Sequence, residues 1–459
     1  MSIVSLQYIA ALFLLTILYY FLPSRFGKGL LLFAGILFYL SQGIRGAAVL
    51  FGALVLTYGV GLWMSRVSSS RVRRILLFVG VLILLAGWLS VREAAGRGWM
   101  LLPVGMSFYA LQMISLLADL YTGKVKELPS PFDTAFLILF FPKVTMGPFI
   151  SNEGFLRQLK EVKQFDPQAV SEGVVTILLG FFEKLVIANL LMVSVNRIFT
   201  GFHELHSLWL LAGPVLFTVY LYCDFAGYSH IAIGSAKVLG YEIPDNFRQP
   251  LLAASVQDFW RRWHIGLSTW LRDYVYIPLG GNRKGRARQY LNLFLTFLAS
   301  GLWHGRGLHF ILWGGYHGVL IVAENILGLA KKESRFFKRI HGIGAVLLAM
   351  LGFVFFECAS LKESLKYCYY MLTHWNLPLA GFWEVAGINL SQLILLVLSL
   401  VVLVVIDLRR EAGKDFGKRI LTAKAPVRWA VCLCLCLIVA LMMVRDFGTG
   451  AESFVYGRF

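Results

Sequence analysis

The sequence predicts an all-α, polytopic membrane protein, and three observations point there. Of 459 residues, 58% are hydrophobic and only 15% charged, where a soluble chain carries about a quarter charged residues. Mean hydropathy is +0.70. The apolar content comes in runs rather than an even spread, and basic residues gather beside those runs. A helix needs roughly 20 apolar residues to cross a bilayer core. A β-barrel would show short alternating segments, and these runs do not alternate.

Residues 1–22 are nearly charge-free. They lack the basic start and small-residue cleavage site of a signal peptide, so they read as a first, retained span. Runs at 30–40, 47–64 and 75–91 complete four plain spans, which make up an N-terminal part at residues 1–98. From Trp99 the character changes. Pro103, Gly105, Pro142, Gly147 and Pro148 interrupt apolar segments. Broken helices at membrane depth persist only where protein or a water-filled cavity satisfies the freed backbone, so residues 99–330 are expected to surround a cavity or tunnel. The polar segment 152–166 is expected at the surface. Glu183 and Lys184, in GFFEKLVIAN, point about 100° apart on a helix and do not form a simple pair. They face either the bundle interior or an interface. Asp224, in YLYCDFAGYSH, is followed by Gly227 and Gly234, which suggests a broken or re-entrant element. Asp119 and Glu324 are isolated acids with no role beyond helix-to-helix contacts. Runs at 391–406 and 429–444 supply the last spans, within residues 331–459. No soluble domain and no internal repeat is evident; the chain reads as one integral membrane domain.

The net charge of +18 raises the question of nucleic acid, but its distribution argues against it. Basic residues cluster next to spans, at Arg66–Arg74, Arg283–Arg288, Lys331–Arg339 and Arg409–Arg428. This is the positive-inside pattern, with attraction to anionic lipid as its consequence. Placing those clusters in the cytoplasm starts the chain outside, makes 358–389 an outer loop and leaves Phe459 outside. Cys432, Cys434 and Cys436, two apart on a helix, spread around its circumference and do not form a metal site; soft apolar packing explains them. Cys358 and Cys368 flank the outer loop, and a pairing between them is left open.

The densest polar and aromatic patch is QDFWRRWHIGLSTWLRDYVYIPLGGNRKG, residues 257–285. Projected on a helix over 259–274, Trp260, Trp263, His264, Leu267, Trp270, Leu271 and Tyr274 share one face. Arg261, Arg262, Thr269 and Arg272 fall largely off it. Asp258 stands three and four residues before Arg261 and Arg262 and can pair with either. The expectation is an amphipathic helix whose indoles sit at the water–lipid boundary, with His264 on the apolar face unexplained. Farther on comes ASGLWHGRGLHFILWGGYHG. From the basic cluster at 283–288, about 15 residues of helix rise roughly 22 Å and bury His304 deep in the bilayer. A neutral imidazole is tolerated there and remains available as a base. A lone buried histidine is more often a hydrogen-bonded helix contact. Two or three facing one cavity point to proton transfer or metal binding. His264, His304 and His317 show no i, i+3 or i, i+4 spacing and no neighbouring thiol or carboxylate at ligand spacing, so metal is the weaker reading. No nucleophile elbow and no phosphate-binding glycine loop appears.

At these residues the sequence resembles the membrane-bound O-acyltransferase family, in its alginate O-acetylation branch. The matching blocks are PVGMSFYALQMISLLADLYTGK, FFPKVTMGPF, YCDFAGYSHIAIGSAKVLGYEIPDNF, QDFWRRWHIGLSTWLRDYVYIPLGGNR, SGLWHG and WGGYHG, spanning residues 102–320. The resemblance implies about 11–13 transmembrane or re-entrant helices around a central tunnel that reaches both membrane faces. It implies residence in a bacterial cytoplasmic membrane. It also implies no bound cofactor, a donor arriving from the cytoplasm as acetyl-CoA or an acyl-carrier thioester, and an acceptor on the outer side. The partner it implies is an extracytoplasmic SGNH-type acetyltransferase or another secretion-complex protein, besides membrane lipid.

By that resemblance His304 matches the near-invariant histidine, the essential base. His264 takes the second signature position, which is Asn, Asp or His across the wider family. Trp303, Asp258, Arg262, Arg272, Asn282 and His317 stand in the matched blocks as substrate-binding candidates. The chain departs from the pattern at His230, where the family usually has an acid, and at its ending FVYGRF. In the implied chemistry a base takes the proton of a hydroxyl that attacks the thioester carbonyl. His264 orients the donor, donates to the developing oxyanion or positions the other imidazole. The cluster Arg283–Arg288 either attracts donor phosphates or serves orientation only. Two alternatives stand beside acetyl transfer. One is D-alanyl transfer to teichoic acid; the other is a transporter or flippase, for which the expected inverted repeat is not evident.

Overall fold

The computed structural model describes residues 2–329, 335–414 and 416–447, and all regular structure among them is helical. Eight helices there are long and apolar enough to cross a membrane. Leu6–Phe21 is a further apolar helix, of 16 residues. The chain is a multi-pass membrane protein. Its described residues form two compact units, one of residues 2–177 and 228–244, the other of 178–227 and 245–447.

In the first unit the four N-terminal helices run Leu6–Phe21, Ser24–Leu40, Ile44–Arg66 and Ser70–Gly96. Ser5 and Ser69 cap two of them, accepting from the N–H groups of Tyr8 and Val72. Phe33, Val55, Phe78 and Leu82 are exposed on them, as lipid-facing side chains should be. Ile44–Arg66 and Ser70–Gly96 pack against Met106–Thr122, which is buried along almost its whole length; Trp88 donates to Ser107 Oγ at 3.1 Å. The expected interruptions are present, and protein satisfies the freed backbone. Tyr39 Oη donates to Val104 O at 2.9 Å just before Gly105. Asn152 departs from the expectation of a surface segment. It is buried and donates to Asp119 Oδ2 at 2.8 Å and Ser115 Oγ at 3.1 Å, while Gln112 donates to its Oδ1. Four polar side chains satisfy one another inside the unit, which gives Asp119 a partner that sequence pattern does not reveal. Residues 164–166 are exposed as expected.

In the second unit the chain passes through a π-helical turn, Phe182–Ala188, where Asn189 N–H reaches back to Lys184 O. Glu183 and Lys184 are both buried. Lys184 pairs not with its neighbour but with Asp224, the arrangement that makes two charges tolerable away from water. The break expected near Asp224 is absent, because Ser207–Val238 is one continuous helix of 32 residues. Gly227 serves a close approach instead: a Cβ there would lie 2.6 Å from Gly180 O. The expected outer loop 358–389 is itself folded, with helices Leu361–Thr373 and Phe382–Ala386. Ser194 Oγ donating to Ala386 O at 2.7 Å and Trp209 Nε1 donating to Ala380 O at 3.1 Å hold it down. Cys358 and Cys368 are free thiols. Lys331, Lys332 and the ending FVYGRF with Phe459 lie outside the described residues.

Candidate active site

The patch at 257–285 does not form the single helix its periodicity suggests. Val256–Arg262 is one helix and Ile265–Leu271 another, with His264 between them in the left-handed region at φ 44°. A π-helical turn, Arg272–Tyr276, follows. Gln249 and His264 are the two non-glycine residues with positive φ among those described. Such a conformation costs about 1–3 kcal/mol and persists only where its surroundings enforce it.

Those surroundings come from elsewhere in the chain. Ile265 N–H donates to Asn246 O at 2.8 Å, and Arg248 N–H to Arg262 O at 2.9 Å. Asn246 Oδ1 accepts from Gly266 N–H at 3.1 Å and meets His264 Nδ1 at 3.1 Å. The first helix is fixed at its start by Glu324, which accepts from Val256 N–H at 2.9 Å and Gln257 N–H at 3.0 Å and lies 2.9 Å from His341 Nε2. A carboxylate there also complements the positive end of the helix.

Two of the three indoles, Trp260 and Trp263, are not boundary anchors, whereas Trp270 is partly exposed. Trp263 and Trp260 are buried in protein. Trp263 stacks on Phe259 at 5.3 Å and meets Phe353 at 5.3 Å, and Trp260 packs edge-on to Trp313 at 5.5 Å. Amphipathic periodicity reported a face that packs inward, and the inward side turned out to be protein rather than headgroups.

His304 is the last residue of helix Arg286–His304. The chain returns through Leu308–Leu327, and the two helices meet backbone to backbone. A Cβ on Gly301 would lie 2.3 Å from Phe310 O, and one on Gly314 would lie 2.3 Å from Phe297 O. The His304 ring is 3% exposed. Edge contacts to Trp303 at 4.8 Å, Trp313 at 4.9 Å and Phe356 at 5.2 Å frame it.

One cavity of about 500 Å³ is lined by both His264 and His304, with Ser268, Thr296 and Ser300 as hydroxyl-bearing neighbours and Arg261 and Arg272 also on its wall. No carboxylate is among its lining residues. Burial pushes the His264 imidazole down to about 3, so that ring is neutral near pH 7. Imidazoles beside guanidinium groups can accept a proton and hold an anionic substrate in the same space.

The remaining candidates fall in different places. Arg272 lines the cavity and pairs with Asp273 at 2.8 Å. Trp303 is buried, 6.1 Å from the His264 ring, but does not line the cavity. Asp258 pairs with Arg262 at 2.9 Å, and Arg262 also holds both oxygens of Glu411, at 2.7 and 3.0 Å. Asn282 is exposed in the turn before the basic cluster. His317 is fully buried against Trp260 and Trp313, at 4.8 and 5.1 Å, behind the cavity wall and not lining it. His230 belongs to the first unit. No group of three His, Cys, Asp or Glu side chains able to hold a metal occurs among the described residues. Sequence reasoning missed Asn246 and the use made of Glu324. For Asn246 the Pro-Asp-Asn run in EIPDNF signals a turn with side-chain-to-backbone bonding, but not which loop it grips.

A model of the MBOAT, membrane-bound O-acyltransferase family, matches residues 125–365. The chain is 32% identical to the probable alginate O-acetylase AlgI of Pseudomonas putida, over 96% of each chain. It is 30% identical to the peptidoglycan O-acetyltransferase of Helicobacter pylori, over 74% of this chain and 73% of that one. It is also 28% identical to the teichoic acid D-alanyltransferase of Bacillus subtilis, over 48% of this chain and 58% of that one.

Proposed function

The chain belongs to the membrane-bound O-acyltransferase family, and from that premise we propose that it O-acetylates an extracytoplasmic polysaccharide, alginate or a polymer like it. The donor is a cytoplasmic thioester, acetyl-CoA or an acyl-carrier protein. The acetyl group reaches the polymer through an extracytoplasmic partner, an SGNH-type acetyltransferase or another secretion-complex protein. The membrane is a bacterial cytoplasmic membrane.

The observation that carries this reading is the convergence of His264 and His304 on one cavity beside Arg261 and Arg272. His304 takes the proton of the acceptor hydroxyl as its oxygen attacks the thioester carbonyl. The C–O bond forms, the C–S bond breaks, and the imidazolium returns its proton to the departing thiolate. Arg261, Arg272 and the cluster Arg283–Arg288 draw the donor's anionic groups to this side. The test is polymer acetylation in cells carrying His304→Ala at normal protein level. A loss of about 10²–10⁴-fold is expected; wild-type acetylation would refute the reading. Mass analysis of the esters separates acetyl from D-alanyl, and recovery of D-alanyl esters would move the donor to the teichoic acid chemistry of the Bacillus relative.

A further inference from the structure

Asn246 decides which nitrogen of His264 can receive a proton. Its Oδ1 meets two partners, Gly266 N at 3.1 Å and His264 Nδ1 at 3.1 Å. The Gly266 N–H can only donate, so the amide atom it meets is oxygen. The main chain, not the ring, therefore sets the orientation of the Asn246 amide. An oxygen facing Nδ1 requires Nδ1 to carry hydrogen, and in a neutral ring that leaves the lone pair on Nε2. Turning the ring over would put Cδ2 in the place of Nδ1 and lose the bond to Asn246. His264 sits at φ 44°, its following residue is tied to Asn246 O at 2.8 Å, and Phe225 lies edge-on to the imidazole at 4.7 Å. No carboxylate lines the cavity to compete for Nδ1, and burial keeps the ring uncharged.

We infer that Asn246 is a positioning residue that locks His264 as the Nδ1–H tautomer, so that a substrate group reaching Nε2 finds a hydrogen-bond acceptor. The group His264 takes is then an O–H or N–H of the substrate, a sugar hydroxyl or a donor amide. Of the three roles open to His264, donation to a developing oxyanion is the one this geometry removes. In its meaning for catalysis the inference rests on the acyl-transfer reading of the cavity. The tautomer itself does not.

The first measurement is therefore independent of activity. The full chain, labelled with ¹⁵N in its histidine rings and held in liposomes, is compared with His264→Gln by solid-state NMR at neutral pH. The signals lost in the variant should be one protonated nitrogen, bonded as Nδ1, and one lone-pair nitrogen, Nε2. The opposite tautomer, or two protonated nitrogens, would overturn the proposal. The second uses paired substitutions. Asn246→Leu removes the acceptor and should mix the tautomers and lower kcat about 10–100-fold, the scale seen when the partner that orients a metal-bound histidine is lost, with donor KM changed less than about 3-fold. Asn246→Asp keeps an oxygen against both partners and should restore the tautomer and most of the lost turnover. Equal turnover in the Leu and Asp variants would refute Asn246 as the positioning group. A wild-type protein with the stated tautomer and no acyl transfer would instead refute the functional reading alone.

Discussion

The four N-terminal helices and the segment from Asp245 to Tyr276 answer opposite demands. The helices Ile44–Arg66 and Ser70–Gly96 keep only 28% and 22% of their apolar windows buried, and their backbone bonds are internal to each helix. The 245–276 segment is short, bent and tied by contacts that come from Asn246, Arg248, Glu324 and Glu411. In a membrane a helix needs no partner to satisfy its backbone, so a plain span is specified by composition alone. A strained turn that presents an imidazole needs every one of its partners. The same difference sets how mutations should behave.

The largest structural effect is expected where the His304 helix meets its return helix. Gly314→Val must displace the Phe297 carbonyl, 2.3 Å from the new Cβ. Overpacking of that kind costs about 1–3 kcal/mol or more, and it should show as a lower melting temperature in detergent together with lost acyl transfer. Unchanged melting would break the comparison. Next comes Glu324→Ala, which strips the Val256 and Gln257 N–H groups of their acceptor. Leaving such donors buried costs about 1–3 kcal/mol. The expected result is a drop in melting temperature accompanied by a fall in turnover, because the helix leading to His264 loses its anchor. Glu324→Gln, which keeps one acceptor oxygen, should fall between. The smallest effect is expected on the lipid-facing side. Phe78, 68% exposed on Ser70–Gly96, should tolerate Phe78→Leu within about 0.5 kcal/mol and with full acyl transfer. A large loss there would mean that this surface is a protein interface.

The same contrast explains what could be read from the sequence. The helices Ile44–Arg66, Ser70–Gly96, Leu390–Glu411 and Ala425–Phe447 follow from hydropathy, since lipid exposure imposes one requirement on every turn. The close of an apolar run at Trp303–His304–Gly305 placed a histidine at a helix end, and the helix does stop there. The division of residues 259–274 into two helices was not legible, because the left-handed His264 is imposed by residues 246–248. The inward burial of Trp260 and Trp263 was not legible either, because periodicity identifies a face and not what covers it. Asp119 and Glu324 looked like isolated acids because their partners lie far away along the chain.

The two walls of the cavity also differ in how they can respond to a bound substrate. Helix Arg286–His304 touches its return helix through bare backbone at Gly301 and Gly314, which leaves it no room to roll or slide. Across from it, the turn at Arg272–Tyr276 carries i→i+5 bonding, as in Ile277 N–H to Arg272 O at 2.9 Å, a looser winding than the α-helix. Any breathing of the chamber therefore falls to the side that bears Arg272, while the wall that carries His304 stays fixed.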